Sequence, residues 1–334
     1  MIKPKLKAAL RAAAIVLIGA ASLSMASQAA AKTTLRIGWT TADSAVDPYA
    51  ITARYFAEEL DKAAPGRFDV KFFPNHQLGN DTEMLQAMQF GTLDAGVITG
   101  TLVSTIVPAF QINDLPFLYS DSAHAHKVLD GEVGQALFEQ LAKKKIVGLG
   151  FAEAGFRHVI NNVRPIQTPE DMARLRLRVQ PSELFLAAFR AIGANPVPMA
   201  WSDVFTAVQQ GTVDGLEIPL AVIYANKYPE VTKYLSLTRH SYNALAVLLS
   251  ERTFKRLSKE DQTAVRQAAT KAIERQRQAV AANEAEILEK IKAAGMQVNS
   301  IESTEAFRDK VAPVYTNYRD VIGADLLDKA LNTK

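Results

Sequence analysis

The sequence predicts an α/β protein made of two lobes, and three observations carry that prediction. Segments of helical spacing alternate with strand-like ones from "TTLRIGWT" at Thr33 onward, the rhythm of a largely parallel sheet flanked by helices. A ten-residue segment, "AMQFGTLDAG" at Ala87 to Gly96, recurs as "AVQQGTVDGL" at Ala207 to Leu216, with helix end, Gly, Thr, apolar residue and Asp in the same order. The chain of 334 residues is also longer than one hydrophobic core usually serves. Two such lobes facing each other enclose a cleft, and ligands of open α/β sheets sit beside it at the carboxyl ends of the strands.

The first 31 residues stand apart from this fold. Lys3, Lys5, Lys7 and Arg11 precede the short apolar stretch "AAAIVLIGAASLSMA", and Ala29-Ala30-Ala31 offers small residues for cleavage before Lys32, the pattern of a secretory signal peptide. The stretch is short and rich in Ala and Ser, so a retained membrane anchor is the weaker reading. After it, "TTLRIGWT" alternates as a strand, and Pro48 to Ala64 carries apolar residues at helical spacing until Pro65-Gly66 ends the run. "FDVKFFP" reads as the next strand, "DTEMLQAMQF" as a helix closed by Gly91, and "LDAGVIT" as a third strand. Gly91 and Gly211 hold equivalent places in the repeat, where a helix stops in the left-handed conformation that costs glycine little. Further on, "LRLRVQPSE" reads as a buried strand running into a helix whose first turn is marked by Pro181. Ser258 to Gly295 has no Pro and no internal Gly and is rich in strong helix formers, so one or two long helices fill it. Ser258-Lys259-Glu260-Asp261 has the capping-box pattern at its start. The apolar positions are mostly Ala and hold no heptad, which favours a surface or lobe-bridging helix over a coiled coil.

Composition narrows the function. The chain has 38 Lys+Arg against 35 Asp+Glu, but four of the bases lie in the leader, leaving 34 against 35. Nucleic acid and acidic membranes need a concentrated basic surface, so neither is expected as a partner. The absence of cysteine excludes disulfides, thiolate metal sites and lipid attachment through an N-terminal cysteine. No second apolar run is long enough to span a bilayer, and a freely diffusing periplasmic protein fits best. Catalytic signatures such as G-x-S-x-G, H-E-x-x-H and the P-loop are missing, and no cofactor or metal is expected. His124 and His126 are the only close histidine pair, but two residues apart on the predicted helix "SAHAHKVL" they point in different directions, as a solvated helix face would have them. Asp94 and Asp214 hold matching places in the repeat, which suit turn hydrogen bonding better than a catalytic carboxylate pair.

The arginines are the candidate chemistry. In "RLRLRV", Leu175, Leu177 and Val179 face one way while Arg174, Arg176 and Arg178 face the other. Arg174 and Arg176 are expected to lie on a solvated edge. Arg178 sits at the strand's carboxyl end directly before a helix, where the parallel donors of a guanidinium and the unpaired N–H groups of a helix N-terminus attract the same anion. Such a site is a carboxylate receptor. Arg157 in "EAGFRHVINN" follows a glycine after the apolar strand "IVGLGFA", again at a strand's carboxyl end and near where the chain crosses between lobes. Taken alone, a surface residue or a structural ion pair accounts for Arg157 equally well.

Five segments together resemble the DctP-type substrate-binding proteins of tripartite ATP-independent periplasmic (TRAP) transporters. They are "FFPNHQLGNDTEMLQAMQFGTLD", "DLPFLYSDSAHAHKVLDG", "GFRHVINNVRPIQTPEDM", "LRLRVQPSELFLAAFRAIGANPVPM" and "TAVQQGTVDGLEIPL", in family order and spacing across nearly all of the chain after the leader. The resemblance implies a two-lobed, type II-like periplasmic binding protein with a long helix bridging both lobes, which closes on an organic anion and delivers it to small and large membrane subunits. Lobe I would comprise residues 32–156 plus about 243–283, and lobe II residues 157–242 plus about 284–334. In that family the arginine of the "RVP"-like segment grips the ligand carboxylate and that of the "GFR" segment assists, which places Arg178 and Arg157 at the ligand. Asn161 and Glu217, within the quoted segments, complete the implied set. Two departures bear on the substrate. The family's "DGQENP" is "DGLEIP" here, so Ile218 replaces an asparagine that often touches the carboxylate, and Asp47-Pro48 stands where many members have His-Pro. An aspartate near the cleft repels a second carboxylate and accepts hydrogen bonds from hydroxyl or ammonium groups. The expected ligand is a sugar acid or other hydroxylated monocarboxylate, ahead of a dicarboxylate. The rival readings are a periplasmic enzyme using Asp47, Glu217 or a histidine as base, and an extracytoplasmic ligand sensor.

Overall fold

The computed structural model describes residues 32–333, and the predicted signal peptide lies outside them. In chain order the strands are β1 (Thr33–Gly38), β2 (Phe68–Phe73), β3 (Ala95–Thr99), β4 (Ile146–Asn161), β5 (Arg176–Val179), β6 (Asn195–Pro198), β7 (Gly215–Pro219), β8 (Tyr234–Ser250) and β9 (Gln297–Ser300). They form a single sheet in the order β2-β1-β3-β8-β4-β7-β5-β6, with β9 beside β8. The expectation of a largely parallel sheet needs correction. β1 pairs parallel with β3, and β5 parallel with both β6 and β7, but these two half-sheets are joined by antiparallel pairing of β3 with β8, β8 with β4, and β4 with β7.

The joining strands are long, 16 residues in β4 and 17 in β8, so each extends some ~50 Å through both half-sheets. The glycines that made β4 read as separate segments are register shifts within one strand; Gly155, at φ 93, marks one of them. Arg157 therefore lies inside a continuous strand and not at the end of one. Along β8, Ala244, Ala246 and Leu248 pack into one hydrophobic cluster with Phe110 and Phe151, while Leu245, Val247 and Leu249 pack into another with Trp39 and Val265. Burial on both faces accounts for the unbroken apolar run of this strand.

The helices are α1 (Pro48–Ala63), α2 (Asp81–Phe90), α3 (Gly100–Val103), α4 (Ser122–Asp130), α5 (Glu132–Ala142), α6 (Glu183–Ile192), α7 (Trp201–Gln209), α8 (Leu220–Ala225), α9 (Glu251–Arg256), α10 (Lys259–Ala293), α11 (Glu305–Ile322) and α12 (Ala324–Asn332). Asn80 caps α2 in a full capping box with Glu83, and Gly91 ends it in the left-handed region at φ 75. α6 starts at Glu183, after the cap Ser182, slightly later than Pro181 suggests. α10 is one helix of 35 residues, and the Ser258 hydroxyl accepts from the Asp261 N–H at its start. At ~1.5 Å per residue it runs ~50 Å, and it packs on α1, on β4 and on α8, so it spans both half-sheets. Among the described residues no helix is long and apolar enough to cross a membrane.

The repeat is structural as well as sequential. Arg36 donates from its backbone N–H and from Nε to Asp94 Oδ2, at 3.1 and 2.9 Å, and Arg176 donates from its N–H to Asp214 Oδ2 at 2.8 Å and from Nη2 to Oδ1 at 2.5 Å. Each repeat aspartate thus ties its loop to the neighbouring parallel strand, a longer-range role than the turn hydrogen bonding expected. β5 is an interior strand with β6 and β7 on either side, so Arg176 does not sit on an edge; it reaches solvent because it opens the strand, and exposed Arg174 precedes it in the left-handed region at φ 63.

Candidate functional site

The carboxyl ends of β1, β3, β5 and β7 converge on a cavity of about 190 Å³. One wall comes from the first half-sheet: Thr40 and Thr41 after β1, Tyr49 of α1, Asp81 and Thr82 in the first turn of α2, and Thr99 closing β3. The opposite wall comes from the second: Arg178 and Gln180 at the end of β5, Trp201 opening α7, and Ile218 and Pro219 of β7, with Arg157 reaching in from β4. The convergence follows from the parallel registers, since strands that pair in parallel end on the same side.

Arg178 and Arg157 are both buried, at 3% exposure, but they differ in what they hold. Arg157 is already matched. Its Nε donates to Glu217 Oε2, and its Nη2 donates to Glu217 Oε1 at 2.8 Å and to the Glu217 carbonyl at 2.6 Å. With its amide oxygen turned towards Arg157, Gln180 accepts from Nη1 and Nη2 at 3.1 and 3.3 Å. His240 Nε2 lies 3.1 Å from Glu217 Oε2 on the far side. Burial alone pushes the Glu217 carboxyl up, yet the charge of Arg157 and the hydrogen bonds from His240 and Arg157 hold it down at about 2.

Arg178 has no carboxylate within ion-pair distance among the described residues. Its Nε and Nη2 donate to the neutral Met199 carbonyl at 3.0 and 2.8 Å, and its guanidinium lies 5.7 Å from the centre of the Trp201 ring. Burial lowers it to about 10, only partly offset by the more distant charge of Glu217. A desolvated cation this poorly matched favours an anion beside it, and the guanidinium geometry suits a carboxylate.

The structure brings Arg178, Arg157 and Ile218 to the cavity wall, while Glu217 stands behind Arg157 and holds it in place. It does not bring Asp47 or Asn161 there. Asp47 is fully buried as the cap of α1, where its Oδ1 accepts from the Thr41 hydroxyl at 2.7 Å and from the Tyr49 and Ala50 N–H groups at 3.0 and 3.2 Å. Asn161 ends β4 in a turn, accepting from Val163 and Arg164 N–H and donating to the Arg164 carbonyl at 2.8 Å. His126, expected on a solvated face, instead lies 2.8 Å from the buried Glu153 carboxylate.

The acidic group of the cavity is Asp81, which the sequence reading passed over. It is 7% exposed and its Oδ1 is buried without a hydrogen-bond partner. Burial raises its carboxyl to about 6, against the hydrogen bonds offered by the Thr40 hydroxyl and the Thr99 backbone. Trp201 was missed too, although a signal existed: Asp81 and Trp201 each stand ten residues before the helix-ending glycine of their repeat, Gly91 and Gly211.

The comparisons with known proteins agree with this geometry. The family model described as bacterial extracellular solute-binding protein, family 7 (DctP) matches residues 40–320. The 2,3-diketo-L-gulonate-binding periplasmic protein YiaO of Escherichia coli is 36% identical over 320 residues, covering 94% of this chain and 95% of that one. A TRAP periplasmic solute-binding protein from Polaromonas sp. JS666, solved with bound D-erythronate, superposes with a TM-score of 0.87 at 37% identity over 91% of this chain and 99% of that one. A further one from Sulfurospirillum deleyianum, solved with bound succinate, superposes at 0.86 with 33% identity over 91% and 100%. With a family model spanning most of its length and relatives this similar end to end, the chain belongs to family 7 of the bacterial extracellular solute-binding proteins, the DctP family of TRAP periplasmic binding proteins.

Proposed function

We propose that this protein captures a hydroxylated monocarboxylate, a sugar acid, between its two lobes and hands it to the membrane subunits of a TRAP transporter. The observation that carries the reading is the placement of Arg178 and Asp81 in one cavity, an unmatched guanidinium on one wall and a buried carboxylate with an unpartnered oxygen on the other. The guanidinium receives the ligand carboxylate. Asp81 accepts hydrogen bonds from ligand hydroxyls and, when ionised, repels a second carboxylate. Ile218, in place of a polar side chain, leaves that part of the wall apolar. YiaO is named for a hydroxylated acid of this kind and the Polaromonas protein was solved with another bound, which supports the choice. A dicarboxylate such as succinate, as in the Sulfurospirillum protein, is the second reading, and it requires Asp81 to be protonated.

The cycle is binding and release without turnover. The acid stabilises the closed form because only there do both walls reach it together. Charge-assisted hydrogen bonds at ~1.5–3 kcal/mol each supply much of the roughly −8 kcal/mol of a micromolar complex. Lobe boundaries at residues 32–156 plus about 243–283, and 157–242 plus about 284–334, belong to the same proposal, as do export by a cleaved leader and a periplasmic location.

Titration calorimetry with D-erythronate, D-galactonate and succinate, alongside mass spectrometry of acid retained on gentle purification, tests the reading. Sugar acids should bind at least tenfold tighter than succinate at pH 8, with substrate recovered unchanged. Arg178→Ala should abolish acid-induced thermal stabilisation while leaving the ligand-free fold intact. Undiminished stabilisation in that variant, or conversion of the acid to a product, would refute it.

A further inference from the structure

Asn226, the residue that ends α8 in the second half-sheet, reaches a segment of the first. Its Oδ1 accepts from the Ala42 N–H at 3.1 Å, and its Nδ2 donates to Asp47 Oδ2 at 3.4 Å. A third bond, from Nδ2 to the Val222 carbonyl at 3.0 Å, holds the side chain against its own helix. Ala42 and Asp47 lie between β1 and α1, on the other wall of the cavity. Asp47 is a fixed receiver, because its Oδ1 is committed to the Thr41 hydroxyl and to two N–H groups of α1, leaving Oδ2 for Asn226. Asn226 does not line the cavity, but Val222 one turn earlier does, and so do Thr41 and Tyr49 next to its partners. The contact therefore sits beside the ligand space and joins its two walls.

We propose that Asn226 is a positioning residue for ligand capture: its amide clasps the segment from Ala42 to Asp47 when the lobes close, and so raises affinity for an acid it never touches. The proposal rests on the binding function put forward above. Apparent affinity in such a protein scales with the population of the closed form, and any bond made only in that form adds to closure whatever the ligand. The short asparagine side chain, already tied to Val222, loses little further freedom on docking, so most of the interaction is available to favour closure. Asp47, which the sequence placed among the ligand contacts, becomes the receiving half of the clasp.

The test is Asn226→Ala in the full-length processed protein, titrated with D-erythronate and D-galactonate. Affinity should fall about tenfold, equivalent to ~1.4 kcal/mol, through faster release with association unchanged. The chain has no cysteine, so Gln77→Cys and Asp203→Cys, exposed on opposite half-sheets, accept a spin-label pair cleanly. Label distances in ligand-free Asn226→Ala should shift towards longer values. If the variant binds within twofold of wild type and only its melting temperature drops, equally with and without acid, Asn226 merely ends α8 and the proposal is wrong. If the wild-type protein binds neither acid, the functional reading fails, and the clasp is then decided by the ligand-free distances alone, with identical distributions overturning it.

Discussion

A buried aspartate with one unpartnered oxygen is costly unless something compensates it, and Asp81 shows the cost directly. Its carboxyl is raised from 3.8 to about 6, so the folded protein holds that proton more tightly than the unfolded chain does. The contribution is fully present below pH 3.8 and is lost as pH rises through about 6, leaving the neutral-pH fold weaker by up to roughly 3 kcal/mol at this one site. Asp81→Asn removes the charge and keeps the shape. We expect it to raise the melting temperature of the ligand-free protein by a few degrees while weakening sugar-acid binding about tenfold or more, since the ionised acceptor is gone. Calorimetric melting and titration of the same preparation check both halves, and a variant that is less stable and binds as tightly would remove Asp81 from the site. Arg178 was legible in the sequence because a strand's alternation and the following helix start are both local patterns. Asp81 was not, because an aspartate in the first turn of a helix usually serves that helix, and only the opposing wall shows what it faces.

At the scale of elements, two glycines of similar appearance do different work. Gly155 allows β4 to shift register at φ 93. Gly215 starts β7 in ordinary extended backbone, but a Cβ there would lie 2.0 Å from the Ile160 carbonyl oxygen and 2.6 Å from the Asn161 Cα. Backbone cannot step aside as a side-chain tip can. Gly215→Ala should therefore force β7 away from β4 and destabilise the fold by ~1–3 kcal/mol or more, read as a lower midpoint in urea; an unchanged midpoint would show that the two strands have slack. The same pairing carries Glu217 to Arg157, so this variant should also loosen the arginine. The helices were read nearly to the residue where caps and glycines punctuate them, as in α2 and α10. The long strand β4 was read in pieces because glycine, which normally interrupts a strand, here only bends it.

For the whole molecule the buried ionisable groups set the response to pH. Burial raises Asp47 and Asp114 to about 7 each, despite hydrogen bonds from Thr41 and from Thr101 and Ser182 respectively, and Asp81 joins them at about 6. All three stabilise the fold below their ordinary 3.8 and lose that contribution as pH climbs through 6 to 7. Two groups act in the opposite direction. His158 is lowered to about 3, first by burial and then by the nearby His240 and Arg239, so its contribution is present above 6.5 and falls away in acid. Glu217, at about 2, contributes above 4.5 and is lost as pH drops towards 2. Near pH 5.5 the three aspartates outnumber the one histidine, so the folded form binds more protons than the unfolded one. Ligand-free protein should therefore melt higher at pH 5.5 than at pH 8. A melting temperature that only falls from pH 8 to pH 5.5 would mean that these carboxylates are not desolvated as the fold implies.

What the sequence determined by itself was whatever is written in short-range pattern: alternation, helical spacing, caps, the repeat, and the run of matches that marks the family. Helix and strand periodicity comes from the geometry of a few consecutive residues, so it needs no knowledge of the rest of the chain. Tertiary structure alone decided that two half-sheets share two long strands, that Glu217 pairs with Arg157 behind the cavity wall, and that Asp81, not Asp47, shares the cavity with Arg178. Those outcomes depend on which distant groups are brought within a few ångströms and sealed from water, because desolvation and partner distance set the behaviour of a charge, and neither quantity is local in the chain.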